Sequence, residues 1–344
     1  RRKNDGGNAV MKTKKMRFDI NTWLPIIIFV LILVIFSVVT GGALLNSRNI
    51  LNIFNQSVAT ILAGLGMLFV AAMGSTDIST GVVVALAGCF GLMGAQASGN
   101  SLVFIIISIL IGIGSGLLLG YVNAKRKVNS FMASLALMMA WRAIVNLVLS
   151  NKAYYLPDNL YVLDRPVVKG IILVAIVLVI IYIWKFTRFG NYVRGIGENE
   201  VAMKYAGVNV DRVKILAFVM SGLLAAVAGI FTVVRLGGTN NTMGSGFEMK
   251  VMMALFIAGI PVQGGEGSKV YKLLFGAPTI IMLENGLVLC GLDAGVTQLV
   301  RGLVLLGAVC LTSQLAKRMA YVGQEGAHNQ KENAAETAVE NGGK

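Results

Sequence analysis

Of the chain's 344 residues, 56% are hydrophobic and only 13% charged, against about 25% charged in a soluble domain. Such a chain belongs in a bilayer, and its formal net charge of +14 reads as cytoplasmic loops that hold Lys and Arg back from translocation, not as a nucleic-acid surface. The single His, His328, lies in a polar stretch, Cys89, Cys290 and Cys310 stand apart inside apolar runs, and no GxxxxGK[ST] loop occurs, so no metal centre, disulfide framework, His-based catalysis, cofactor or phosphate loop is legible.

In chain order, residues 1–20 are basic and polar and read as a cytoplasmic N-terminal segment; Met11 is a candidate native start. The first apolar run, Leu24 to Leu45, is followed by no A-x-A-like site and reads as a retained anchor, not a removed signal. Further runs follow near 53–72, 78–97, 102–122, 128–149, 167–184, 213–234, 251–262, 273–292 and 296–315. With roughly 20 apolar residues per span, the region 21–316 reads as an all-α polytopic membrane domain of about ten transmembrane helices. An even number puts both termini on one side. If that side is the cytoplasm, the inner loops hold Lys125 to Lys127, the basic residues between Lys185 and Lys214, and Lys269 and Lys272. The outer loops hold only Arg48, Lys152, Arg165, Lys169 and Lys250. The bias places both termini in the cytoplasm. Residues 317–344 are polar and read as a disordered cytoplasmic tail.

Three local patterns stand out. Gly112, Gly116 and Gly120 recur every fourth residue and make a side-chain-free stripe that permits close helix packing. The second and third runs are separated only by GSTDIST (Gly74 to Thr80), and the eighth is short, with Pro261 near its end and GGEG (Gly264 to Gly267) beyond. Interrupted segments at corresponding places in two halves point to a transport pathway. Split five plus five, the chain sets Asp77 opposite Glu248, and an odd number of spans per half makes any such repeat inverted.

An ionisable group inside a span costs at least about 2.5 kcal/mol on insertion scales, so each needs a partner or a wet cavity. Asp77 and Glu248 serve either as pathway groups or as N-terminal caps. Arg142 calls for an acidic partner, Glu284 and Asn285 for a polar contact between helices or a place on the pathway, and Arg301 can snorkel outward. Asn55, Gln56, Ser57 and Thr60 form a polar stripe whose amides and hydroxyls suit either a hydroxyl-rich solute or interhelical hydrogen bonding. The candidate pathway set is Asn55, Gln56, Thr60, Asp77, Ser79, Glu248 and Asn285.

The longest basic loop runs over residues 186–212. Within it Asn199 is a good N-cap, Glu200 stands at the positive end of a helix dipole and Gly207 supplies a stop, predicting a helix of about two turns. Ala202, Tyr205 and Ala206 share an apolar face with Lys204 opposite. That face either lies back on the protein's own helix ends or docks a cytoplasmic partner.

GENEVAMKYAGVNVDRVKI followed by AFVMSGLLAAVAGI (Ala217 to Ile230) resembles the cytoplasmic loop and following helix of ABC importer permeases of the ribose-type sugar branch, which is related to the branched-chain amino acid permeases. NILNIFNQSVATILAGLGMLFV (Asn49 to Val70), TDISTG (Thr76 to Gly81), GSGFE (Gly244 to Glu248), GGEGS (Gly264 to Ser268) and ENGLVLCGL (Glu284 to Leu292) agree in the same order over about residues 45–316. The resemblance implies an alternating-access importer in a bacterial inner (cytoplasmic) membrane, for a monosaccharide or related small polar solute. It implies a second permease subunit, an extracytoplasmic solute-binding protein and a cytoplasmic ABC ATPase that holds the ATP and Mg. Glu198, Asn199, Glu200, Val201, Ala202, Tyr205 and Gly207 would form the helix that couples to that ATPase. Glu200, where nucleoside permeases often have Pro, and Asp77-Ile78-Ser79 favour the sugar branch over permeases for nucleosides or branched-chain amino acids. The chain departs from the family pattern at Ser75-Thr76, at Thr80-Gly81-Val82, and at Lys269, Tyr271 and Lys272, which add charge on an inner face. Outside the resemblance, the rival is an ion-coupled secondary transporter working through an intramembrane carboxylate such as Asp77 or Glu284; a membrane enzyme is disfavoured.

Overall fold

The computed structural model describes residues 20–150, 153–261, 264, 265, 267–310 and 314; the basic segment before residue 20, Glu266 of the GGEGS run and the polar stretch after residue 314 lie outside the described residues. The chain folds as α1 Ile20–Val39, α2 Ser47–Ala72, α3 Thr80–Ser98, α4 Ser101–Arg126, α5 Ser130–Leu149, α6 Pro166–Phe186, α7 Arg188–Tyr205, α8 Val210–Leu236, α9 Phe247–Ile257 and α10 Val270–Leu289, and then α11 Ala294–Cys310. Among the described residues there is no strand, only an isolated bridge between Tyr155 and Gly238. Seven of the described helices are long and apolar enough to cross a membrane.

Asparagine starts many of these helices. Asn46, Asn100, Asn129 and Asn209 each accept a backbone N–H of the first turn of α2, α4, α5 and α8, satisfying a donor that has no intrahelical partner. α2 and α8 form the centre, buried along most of their length, while α5 and α6 keep an apolar face outward with Leu147, Val167, Ile171, Val174 and Leu178 exposed. In water that pattern would be an aggregation surface; in hydrocarbon it is the solvent-matched face.

The close packing of α4 on α8 depends on the glycine stripe. A Cβ on Gly112 would strike the carbonyl of Gly222, one on Gly116 that of Phe218, and one on Gly120 would lie 2.9 Å from the Cα of Ile215. Without a hydrophobic drive between helices in lipid, such backbone contact supplies the dispersion that holds them. Polar anchors join in, with Trp141 Nε1 donating to Ser115 Oγ at 3.0 Å and Ser108 Oγ to the Ala87 carbonyl at 2.9 Å.

One element differs from the sequence reading, and another is as short as its apolar run. α7 starts at Arg188, so a helical stretch that was not predicted precedes the predicted two turns, from which it is separated by a kink at Asn199; in that stretch Gly190 and Gly197 sit where neighbouring backbone leaves no room for a side chain, and their low helix propensity is overridden by packing. α9 has 11 residues and is about 16 Å long, half of the roughly 30 Å hydrocarbon layer.

Candidate functional site

At one end of the bundle, α7 kinks. Asn199 leaves helical geometry for extended backbone (φ −158°, ψ 100°), and its Oδ1 accepts the N–H of Ala202 at 2.9 Å. A new two-turn helix begins there and stops at Gly207, whose φ of +81° is the left-handed conformation that glycine adopts without penalty. Glu200 fixes this helix to α8 through Lys214 at 2.7 Å and pairs with Lys204 at 2.8 Å. Those two lysines, Lys204 first, hold the Glu200 carboxyl below the usual carboxylate range. Only Met203 turns inward, against Gly195. The predicted apolar face does not lie back on the chain's own helix ends: Ala202 and Ala206 are exposed, Tyr205 is 89% exposed, and Val201 beside them is exposed too.

The kink is joined directly to the membrane helices. A Cβ on Gly197 would collide with the carbonyl of Ala72, the last residue of α2, and that carbonyl accepts the N–H of Gly265 at 2.8 Å. Glu198 Oε1 occupies the place that a Gly265 side chain would take. The ends of α2 and α7 and the loop between α9 and α10 therefore meet at one backbone junction. Lys272, read from the sequence as inner-face charge, is instead 2% exposed and donates to the Gly259 carbonyl at the end of α9, whereas Lys269 is exposed.

Midway along α8, Ser221 donates to Asp77 Oδ2 at 2.8 Å, while Asp77 Oδ1 accepts the Ser79 N–H and hydroxyl at 3.0 and 2.6 Å. This knot ties the N-terminus of α3 to α8 and is sealed, with Asp77 3% and Ser79 2% exposed. The other acidic opening arrives beside it. A Cβ on Gly81 would strike Glu248 Oε2 and lie 2.8 Å from the Gly244 carbonyl, so the N-termini of α3 and α9 abut. Broken helices whose N-termini face one another inside the bundle are the arrangement in which transporters place their binding elements.

At the end of the bundle opposite α7, a cavity of about 280 Å³ is lined by Gln56 and Thr60 of α2, Arg235 of α8, Ser245 before α9, Lys250 of α9 and Arg301 of α11. Of the candidate pathway residues, Gln56 and Thr60 line it. Asn55 instead accepts Lys169 Nζ at 3.1 Å; Asp77 and Ser79 belong to the knot, Glu248 sits half-buried at the abutting helix starts, and Asn285 is half-buried on α10. Arg142, which called for an acidic partner, donates its Nη1 to the Met243 carbonyl at 2.8 Å and attracts Glu248 through space.

Charges that the sequence reading had placed in outer loops turn out to be structural. Lys169 is 1% exposed and pairs with Asp164 at 2.6 Å. Lys250 lies within α9 and meets Glu284 Oε2 at 2.7 Å, while Arg301 Nη2 lies 2.7 Å from Glu284 Oε1. The second contact is ionic without hydrogen-bond alignment, which leaves Arg301 Nε buried and unbonded among the described residues. A signal for this node was present: Glu284 is the one acid of the ninth apolar run and needs a counter-charge in hydrocarbon. Among the described residues no group of His, Cys, Asp and Glu could hold a metal ion.

The family model described as "Branched-chain amino acid transport system / permease component" matches residues 49–309. The ribose import permease protein RbsC of Escherichia coli (strain K12) is 30% identical over 285 residues, covering 78% of this chain and 86% of that protein. The xylose transport system permease protein XylH of Haemophilus influenzae is 29% identical, covering 88% and 98%, and the galactofuranose transporter permease protein YtfT of Escherichia coli (strain K12) is 31% identical, covering 88% and 93%. No solved structure matches the chain significantly.

Proposed function

Because this chain belongs to the family of branched-chain amino acid transport system permease components, we propose that it is the transmembrane permease subunit of an ATP-driven ABC importer that moves a monosaccharide or related small polar solute inward by alternating access. It is a multi-pass membrane protein of the sugar-permease type, a transport subunit and not an enzyme. We place it in the cytoplasmic membrane with about ten spans, α9 serving as a half-span, arranged as five plus five in inverted repeat with both termini cytoplasmic. The ATPase carrying ATP and Mg, a second permease subunit and an extracytoplasmic binding protein complete the machine.

The observation that carries this reading is the capped helix from Asn199 to Gly207, whose apolar face the chain leaves uncovered. An isolated two-turn helix is marginal in water, and this one is held rigid by Asn199, Glu200 and Lys214. It therefore has the properties of a preformed knob for another protein. In the importer that protein is the ATPase. Movement of the knob passes through Gly197 to Ala72 and Gly265, hence to α2, which walls the cavity, and to the loop that carries α9. Gln56 and Thr60 offer the solute neutral hydrogen bonds, while the Asp77 and Ser79 knot keeps α3 and α8 moving as one body.

Ala202→Asp tests the reading, because it places a charge on the exposed face while keeping the backbone N–H that Asn199 caps. In membranes carrying the whole importer, ATP-driven uptake should be lost while the permease still inserts and assembles with its second permease subunit. Unchanged uptake in this variant, or uptake that stops when the ion gradient is collapsed with ATP still present, refutes it.

A further inference from the structure

The wall of the outer cavity is strongly cationic. Arg235, Lys250 and Arg301 all line it, and Glu284 is the one carboxylate among the described residues that ion-pairs with any of them, holding Lys250 and Arg301. The other acids nearby are engaged elsewhere. Asp164, which attracts Arg235 through space, is bonded to Lys169, and Glu248 accepts from the backbone at the start of its own helix and faces Arg142. One carboxylate against three cations leaves an excess of positive charge in a partly desolvated wall, where the side chains of Lys250 and Arg301 are only 18% and 24% exposed. Arg301 Nε, buried and unbonded among the described residues, belongs to a group whose planar fork suits carboxylate or phosphate.

Uncompensated charge in a membrane protein is costly unless something negative visits it, and a cleft of one sign concentrates small ions of the other. A neutral sugar needs none of this. The hydroxyl and amide groups of Thr60, Ser245 and Gln56 still supply contacts for a polyol, and a cavity of about 280 Å³ lies at the small end of ligand sites, suited to a single monosaccharide-sized molecule. We infer that the solute passing through this vestibule is a polyhydroxylated molecule bearing an anionic group, carboxylate or phosphate, which the wall formed by Arg235, Lys250 and Arg301 receives. The inference rests on the importer reading and narrows its solute class.

The test uses the full chain in proteoliposomes, with Cys89 replaced by Ala, Cys290 and Cys310 by Ser, and a reporter thiol introduced by Ser245→Cys, with Thr242→Cys as a second reporter in the same wall should the first fail to insert. Anionic and cationic methanethiosulfonates of similar size are compared, each normalised to its rate with a free thiol. The anionic reagent should be favoured about tenfold or more, and Arg235→Gln should reduce that bias. Gluconate or glucose 6-phosphate should then slow the modification where equimolar glucose does not, and whichever protects identifies carboxylate or phosphate. Absence of bias, or protection by glucose equal to that by both anions, overturns the inference. ATP-driven uptake by the assembled importer is measured in parallel. Uptake without charge bias removes this inference alone, whereas bias and anion protection with ATP-independent uptake remove the importer reading and leave the anion site.

Discussion

Gly197→Ala puts the junction between the cytoplasmic helix and the membrane helices to a direct test. The added methyl would overlap the Ala72 carbonyl and lie 2.5 Å from Gly265 N, where ordinary contacts begin at 3.4 Å. Both obstacles are backbone, so neither can rotate away, and the chains must separate by about an ångström. Overpacking of this kind costs about 1–3 kcal/mol. Separation also stretches the Gly265 N–H to Ala72 carbonyl bond of 2.8 Å, and an unmade bond at such a buried group adds about 1–3 kcal/mol. The substitution should therefore destabilise the permease by about 2–6 kcal/mol, read as a lower unfolding temperature of the purified protein. In the assembled importer it should cut solute uptake more than ATP hydrolysis, because the helix still docks but no longer moves α2 in register. Unfolding temperature and uptake both at the wild-type level would refute the junction as a rigid contact. Equal loss of hydrolysis and uptake would refute its role in transmission.

Glu200→Arg should loosen the helix from Lys214 and reverse the charge at its N-terminus, lowering uptake at least tenfold; Glu200→Gln should do less, and uptake measured at matched membrane levels decides. Because Lys204 and Lys214 depress the Glu200 pKa, the stability that pairing contributes is present in full above the unfolded carboxyl pKa and is lost as pH falls through the lower folded value. Coupling should thus stay constant from neutral pH to about the usual carboxylate pKa of 4.3, and Lys214→Met should move its acid-side loss to higher pH in an uptake-against-pH profile. Glu284→Gln leaves Lys250 and Arg301 facing each other without a counter-charge and should cost about 3–5 kcal/mol, which Glu284→Gln with Lys250→Gln should partly restore in thermal unfolding. Asp77→Ala strands the hydroxyl and N–H of Ser79 and the hydroxyl of Ser221, at about 1–3 kcal/mol for each buried group left unpaired; Asp77→Asn should be milder, and equal stability of the two would argue against the knot.

Much of this was written into the linear pattern. Apolar runs of span length located the helices, and the Asn199 to Gly207 cap and stop were legible because they are local: a short polar side chain before the turn and a glycine after it satisfy the same few backbone groups wherever they occur. The spacing of Gly112, Gly116 and Gly120 likewise announced a packed face. Lys169, Lys250 and Lys272 were misplaced, since each stands at the edge of an apolar run, where hydropathy reads charge as loop. Their counter-groups or acceptors, Asp164, Glu284 and the Gly259 carbonyl, are chosen by the approach of other elements or by the bending of the chain.

The same distinction divides the site. Composition and run length determined a polytopic helical protein, because the cost of burying polar backbone and charge in hydrocarbon acts on each segment independently. The ordered motifs determined its kinship. Only the tertiary structure decided that Gln56 and Thr60 face a cavity while Asn55 serves Lys169, that the N-termini of α3 and α9 abut at Gly81 and Gly244, and that Arg235, Lys250 and Arg301 share one wall. Those outcomes depend on which helices meet and at what depth, a matter of long-range packing that residue types along one run do not encode.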